Sequence, residues 1–350
     1  MTITALGLPS VSRVTEPAPV DGPLIDTFGR VSTDLRVSLT DRCNLRCTYC
    51  MPADGLDWLP GEDLLTPQEL IRLLRIAVTR LGITNIRFTG GEPLLVRHLE
   101  DVVAATAALT PRPEIALTTN GLGLVHRAEA LARAGLNRVN VSLDTIDPAH
   151  FAKITRRDRL PDVVAGLAAA RAAGLTPVKV NAVLDPATGR DDVVNLLRFC
   201  LEHDYHLRVI EQMPLDAGHQ WDRSAYLSAD DILSVLQQHF TLQPDPRPRG
   251  SAPAQLWQVA GGPGTVGVIA SVSHAFCAAC DRTRLTADGQ VRNCLFATTE
   301  TDLRALLRGG GTDDDLEAAW RSAMWSKAAG HGINDPGFVQ PDRPMSAIGG

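Results

Sequence analysis

Between residues 34 and 212, short apolar runs alternate with longer stretches whose apolar positions recur every three or four residues. The short runs predict strands at LRVSL (35–39), ITNIRFT (83–89), EIALTT (114–119), RVNVSL (138–143), PVKVNAV (177–183) and LRVIEQ (207–212). The longer stretches predict helices near 67–81, 97–109, 124–134, 161–173 and 191–203. The first helix carries full punctuation. Thr66 caps it, Pro67 suits its first position, and Glu69 completes a capping box. Leu70, Ile71, Leu74, Ala77, Val78 and Leu81 form its buried stripe, and Gly82 ends it. Strands that alternate with helices imply βαβ units around a parallel sheet. About six such units fall short of the eight of a closed TIM barrel. An α/β fold follows, read as an incomplete TIM-type (β/α)6 barrel rather than an open doubly wound sheet, because the candidate chemistry follows several different strands. In either arrangement, functional residues gather at the C-terminal ends of the strands.

After residue 213 the rhythm changes. A helix is predicted at 228–240, followed by the Pro-rich break QPDPRPRGSAP (243–253) and a Gly-rich hairpin signal at Gly261–Gly264. This divides the chain into a flexible leader (1–25), a partial barrel (26–224) and a smaller, irregular C-terminal region (225–350) packed against the barrel. The leader lacks the charged start and sustained apolar core of a secretory signal.

Composition narrows the function classes. The chain has 350 residues, 44% hydrophobic and 21% charged, which is the balance of a globular protein. A net charge of −6 argues against a sequence-independent grip on nucleic acid, so an anionic ligand needs a local group of basic residues. No run approaches the roughly 20 apolar residues of a membrane span. Seven cysteines without an export signal suggest a reducing cytoplasm, where thiols act as ligands. Cys200, on a predicted helix, reads as a core thiol.

The loop after the first strand, TDRCNLRCTYCMP, places Cys43, Cys47 and Cys50 within eight residues. Structural zinc needs four protein ligands, and this loop has no fourth Cys or His. A cubane iron–sulfur cluster normally takes four thiolates; with three, one iron stays open to another ligand. A second triplet, Cys277, Cys280 and Cys294, lies in FCAACDRTRLTADGQVRNCLF. There Asp288-Gly289 signals a hairpin that returns Cys294 towards the other two. This triplet also lacks a fourth ligand, and a second open cluster or an incomplete zinc ribbon both fit it. Arg282 and Arg284, two apart on one arm, share a face of the strand and form a candidate polyanion clamp. Arg87 and Lys179 stand in otherwise apolar strands, where a buried cation needs an anionic partner.

The cysteine loop, with Tyr49 before the third thiol and TGGEP (Gly90, Gly91, Glu92, Pro93) after the second strand, resembles the signature of the radical S-adenosylmethionine superfamily. From FGRVSTDLRVSLTDRCN to the terminal Gly349-Gly350, the chain further resembles the GTP 3′,8-cyclases of molybdenum cofactor biosynthesis. That resemblance rests on both triplets, the R-x-R-L-T hairpin and the double-glycine tail. It implies two 4Fe-4S clusters, one on Cys43, Cys47 and Cys50 and one on Cys277, Cys280 and Cys294. It implies S-adenosylmethionine against Tyr49, Gly91, Ser142 and Met213. GTP would meet Arg36, Arg87, Thr118, Lys179, Arg282 and Arg284, with Arg208, Gly349 and Gly350 assisting catalysis.

In the reaction the resemblance implies, a 5′-deoxyadenosyl radical removes the ribose 3′ hydrogen of GTP. The carbon radical attacks C8 of guanine, and a reduction and a proton complete the product. The implied partners are a low-potential electron donor, a downstream cyclic pyranopterin monophosphate synthase and a second copy of the chain in a homodimer. The sequence departs from the family pattern at Asp281, an acid beside the clamp whose side chain is expected to turn outward. Rival readings are a radical enzyme that modifies peptides, a zinc-stabilised binding module and a two-cluster redox carrier. Peptide modifiers of this kind usually carry more C-terminal cysteines than the three here.

Overall fold

The structure, a computed structural model, describes residues 17–349, so Gly350 and most of the leader lie outside it. The barrel half runs β1 (Asp34–Ser38), α1 (Pro67–Thr79), β2 (Asn85–Thr89), α2 (Leu99–Ala107), β3 (Glu114–Thr119), α3 (Leu124–Ala134), β4 (Arg138–Ser142), α4 (Pro148–Thr155), α5 (Leu160–Ala172), β5 (Lys179–Val183), α6 (Gly189–Glu202) and β6 (His206–Ile210). There follow α7 (Ala229–Gln237), β7 (Leu242–Pro244), β8 (Gln255–Val259), β9 (Thr265–Ile269), β10 (Arg282–Leu285), β11 (Gln290–Arg292), β12 (Thr301–Asp302), α8 (Leu303–Arg308), α9 (Asp313–Trp325) and α10 (Met345–Ile348).

The six predicted strand–helix units are present, and the capping box of α1 forms as read, with the Glu69 N–H donating to Thr66 Oγ1 at 3.2 Å. The prediction lacked α4, which Asp147 caps and Pro148 opens, and α9, which begins with a capping box at Thr312 and Asp315.

Among the described residues the strands form one twelve-stranded sheet in the order β12-β11-β10-β1-β2-β3-β4-β5-β6-β9-β8-β7. Every neighbour from β10 to β9 is parallel, and the flanking pairs are antiparallel. The partial barrel is therefore longer than the six βα units alone. β9 extends it beyond β6 and β10 beyond β1, so the C-terminal region enters the sheet at both edges. The β8–β9 and β10–β11 pairs are the two hairpins that the glycine signals predict.

Parallel strands covered on both faces read as continuous apolar runs. These strands alternate. Leu35, Val37, Ile86, Phe88, Val139, Val141, Val180, Leu207 and Val209 are buried in the core with the helices. The opposite face carries Arg36, Arg87, Thr118, Asn140, Lys179, Asn181, Arg208 and Arg284. A TIM barrel normally fills its interior with branched apolar side chains. This interior is polar. Cys200 is fully buried on α6, as a core thiol.

Candidate active site

The loop after β1 and the loop after β2 are zipped together. Gly91 N donates to Thr40 O at 2.6 Å and Glu92 N to Arg42 O at 2.7 Å. A Cβ on Gly91 would stand 2.3 Å from Arg42 O, and Gly90 adopts φ +143, so two glycines are what this contact permits. Glu92 then ties the pair to the end of β3, accepting from Thr119 Oγ1 at 2.6 Å and Asn120 N at 2.7 Å. Burial raises its carboxyl to about 7 despite these bonds. From the other side, the end of α4 braces the cysteine loop. Arg46 N and Thr48 N each donate 3.0 Å bonds to Thr155 O and Ile154 O, and Arg156 donates to Arg46 O and Met51 O.

Cys43, Cys47 and Cys50 line a cavity of about 160 Å³ together with Gly90, Gly91, Tyr49, Thr118, Ser142, Asp144 and Met345. Burial pushes the Cys50 thiol up to about 12, with the neighbouring Cys43 adding to the rise. Cys43 and Cys47 are raised too, chiefly by burial. Thiols this desolvated ionise only with a cationic centre among them, so the site fits a metal cluster.

Cys277, Cys280 and Cys294 line an adjoining cavity of about 290 Å³ with Arg36, Arg282, Arg284, Phe276, Met213 and His331. Tyr49, Thr118, Ser142, Asp144 and Met345 stand in the walls of both cavities. Tyr49 donates its hydroxyl to Asp144 at 2.8 Å, and burial lifts the Asp144 carboxyl to about 6. Burial opposes ionisation of Cys280, but Lys327 and Arg282 outweigh it and lower the thiol. The two thiol sets therefore differ: the first is desolvated beside the carboxyls of Glu92 and Asp144, and the second stands among cations.

Arg87, Lys179 and Arg208 are not in the wall of either cavity. Each stands two residues before a wall residue on the same face (Thr89, Asn181 and Ile210), towards the N-terminal ends of the strands. Their partners are few. Arg87 Nε is buried without one, Arg208 donates only to Leu207 O at 2.7 Å, and no bond holds Lys179 among the described residues. Burial and neighbouring cations lower Lys179 to about 7 and Arg208 to about 10, and bring Arg87 well below its ordinary value.

Arg36 is paired with Asp34 at 2.6 Å. Burial opposes ionisation of Asp34, but Arg36 and Arg87 hold its carboxyl at about 2. Arg284, lowered to about 9 by burial and Arg36, donates to the carbonyl of Gly349, which brings the tail against the hairpin arm. Arg282 donates to Ser251 O at 2.7 Å and lies over the Phe276 ring.

One sequence reading changes here. Asp281 does not turn out to solvent: it accepts from Thr33 Oγ1 at 3.2 Å, with Oδ1 3.9 Å from Arg282. Gly350 lies outside the described residues. The sequence reading also missed Asp34, Arg138, Asn140, Asp144 and Asn181. Asn140 and Asn181 had a signal, since each interrupts an apolar strand on the Ser142 or Lys179 face.

Fold and site together define a radical S-adenosylmethionine enzyme. Residues 37–200 match the Radical SAM superfamily profile and residues 205–333 the profile described as Molybdenum Cofactor Synthesis C. Streptococcus suis SuiB bound to S-adenosylmethionine is a structural neighbour with a TM-score of 0.56 at 16% identity, over 83% of this chain and 68% of that one; at this identity the likeness concerns the fold. Relatives named GTP 3′,8-cyclase from Mycolicibacterium smegmatis and Mycobacterium sp. strain KMS are 75% and 76% identical, each over 100% of both chains. A Mycobacterium tuberculosis relative named GTP 3′,8-cyclase 2 is 72% identical over the same span. The chain belongs to the GTP 3′,8-cyclase family.

Proposed function

We propose that this protein converts GTP to (8S)-3′,8-cyclo-7,8-dihydroguanosine 5′-triphosphate, the first step of molybdenum cofactor biosynthesis, with its two thiol triplets holding two 4Fe-4S clusters. One observation carries the reading: two triplets, each one ligand short, face adjoining cavities that share Tyr49, Thr118, Ser142, Asp144 and Met345. Once bound, the first cluster and S-adenosylmethionine supply a 5′-deoxyadenosyl radical. Cys43, Cys47 and Cys50 would hold that cluster, and Tyr49, Gly91, Ser142 and Met213 would line the cosubstrate.

Cys277, Cys280 and Cys294 would hold the second cluster, which would orient the guanine base. Thr118 and the cations Arg36, Arg87, Lys179, Arg282 and Arg284 would bind GTP. The under-partnered state of Arg87 and Lys179 supports this, because a triphosphate supplies the anion they lack. Arg208 on β6 would act on the bound substrate. Arg284 holds the Gly349 carbonyl, and the tail Gly349-Gly350 would enclose the substrate. In this scheme residues 26–224 are the radical-generating half and 225–350 the substrate-orienting half. A cytoplasmic location, a low-potential electron donor, homodimerisation and a downstream cyclic pyranopterin monophosphate synthase complete the proposal. Among the described residues no helix is long and apolar enough to cross a membrane.

Anaerobic reconstitution tests it. The expected chain binds about eight irons and yields 5′-deoxyadenosine and the cyclised nucleotide from GTP. A chain that binds about four irons, or makes no 5′-deoxyadenosine in the presence of GTP, overturns the reading.

A further inference from the structure

A turn after α9 borders the second thiol triplet. Its first residue, Lys327, is 4% exposed. Lys327 Nζ stands 3.4 Å from Cys280 Sγ, donates to Arg282 O at 2.8 Å and reaches Cys280 O at 3.5 Å. No ion pair with a carboxylate is formed by Lys327 among the described residues. A buried ammonium is costly without a charged partner, and among the described residues the group it contacts that can carry negative charge is the Cys280 sulfur.

Four residues on, His331 stands in the wall of the second cavity. The His331 ring is fixed by both nitrogens: Nδ1 accepts from Ile333 N at 3.1 Å, so Nε2 donates to Ser271 O at 3.0 Å. Arg30, from the far end of the chain, clamps the turn by donating to Cys277 O and Ala329 O at 2.8 Å and to Ala328 O at 2.6 Å. Lys327 thus presents a charged donor to one second-site sulfur, and Arg282 Nη1 stands 3.7 Å from the same atom. Among the described residues no Lys or Arg is hydrogen-bonded to a first-site sulfur: the side-chain donor there is the neutral Asn120 amide, 3.8 Å from Cys43 Sγ.

We infer that Lys327 is a positioning residue of the second cluster, whose ammonium bonds the Cys280 sulfur, compensates the cluster's negative charge and sets its reduction potential above that of the first. The inference rests on the reading that Cys277, Cys280 and Cys294 hold a cluster. Donors and charge beside ligating sulfurs stabilise the reduced, more negative state, and second-shell partners also secure the ligand geometry.

The test is an anaerobic redox titration of the reconstituted full chain, followed by electron paramagnetic resonance, for wild type, Lys327→Met and Lys327→Arg. Methionine keeps the apolar stem and removes the charge; arginine keeps the charge. The expected Lys327→Met protein holds about eight irons, and reduction of its second cluster is disfavoured about tenfold, which is about 59 mV for a one-electron couple. The first cluster titrates as in wild type, and Lys327→Arg restores the second. Loss of about four irons in Lys327→Met with retention in Lys327→Arg also supports the role. An unmoved second-cluster midpoint at full iron content, or a shift shared by both clusters, overturns it. Wild-type protein with only about four irons overturns the two-cluster reading itself, and this inference with it.

Discussion

Replacing Lys179 by Met is expected to abolish a proton uptake that accompanies GTP binding above pH 7. Lys179 begins β5 on the inner face of the sheet, where burial, then Arg138, Arg208 and Arg87, lower its ammonium to about 7. At pH 8 the empty site leaves roughly nine-tenths of Lys179 neutral. A triphosphate beside it replaces repulsion by attraction and returns the amine towards its ordinary value. Binding at pH 8 therefore draws nearly one proton from the buffer. The sign follows from the direction of the shift. Lys179 is more basic in the complex, so affinity is full below pH 7 and falls as pH rises from 7 towards the bound-state value. The slope approaches tenfold per pH unit, about 1.4 kcal/mol. Calorimetric titration of GTP at pH 8 in two buffers of different ionisation enthalpy counts the protons, and Lys179→Met subtracts any contribution from the nucleotide. Uptake near zero in the wild type, or undiminished in Lys179→Met, would refute the placing of the triphosphate beside this amine.

Arg87→Met removes a buried cation whose Nε has no partner. It is expected to raise the thermal midpoint of the ligand-free protein by the equivalent of about 1–3 kcal/mol while weakening GTP binding; a lowered midpoint would show that Arg87 is already compensated. Gly91→Ala drives a Cβ to within 2.5 Å of both Arg42 O and Asp41 O, backbone atoms that cannot yield without opening the cysteine loop. Iron content is expected to fall by roughly half, to the about four irons of the second site, and full retention would disprove the close approach. Gly349→Ala meets Thr89 Cγ2 at 2.7 Å and strains a φ of +83. Roughly 1–2 kcal/mol of strain on the tail is expected to lower cyclisation by about tenfold with iron content unchanged, as product analysis beside an iron assay would detect.

Much of this site was legible one residue at a time. The spacing of each thiol triplet, the capping box at Thr66 and the Asp288-Gly289 turn are local signals, and local backbone geometry decides them. Arg87 and Lys179 could be read as ligand-seeking because a charge in an apolar strand is costly wherever the strand ends up. Asp34 was not legible, since its pairing with Arg36 looks in sequence like any surface pair two residues apart.

The chain's pattern by itself determined six βα units, a polar inner face and two incomplete thiol sets. That follows because period, capping and spacing act over a few residues. Only the tertiary structure decided how these meet. β10 pairs in parallel with β1, setting Arg284 beside Arg36 across most of the chain. The end of α4 braces the first thiol loop, and Arg30 reaches Cys277 from 247 positions away. Such contacts leave no periodicity to read, because they depend on which backbone carbonyls two remote loops happen to present. The two triplets look alike in sequence; burial makes the first a desolvated pocket, and Lys327 and Arg282 make the second a cationic one.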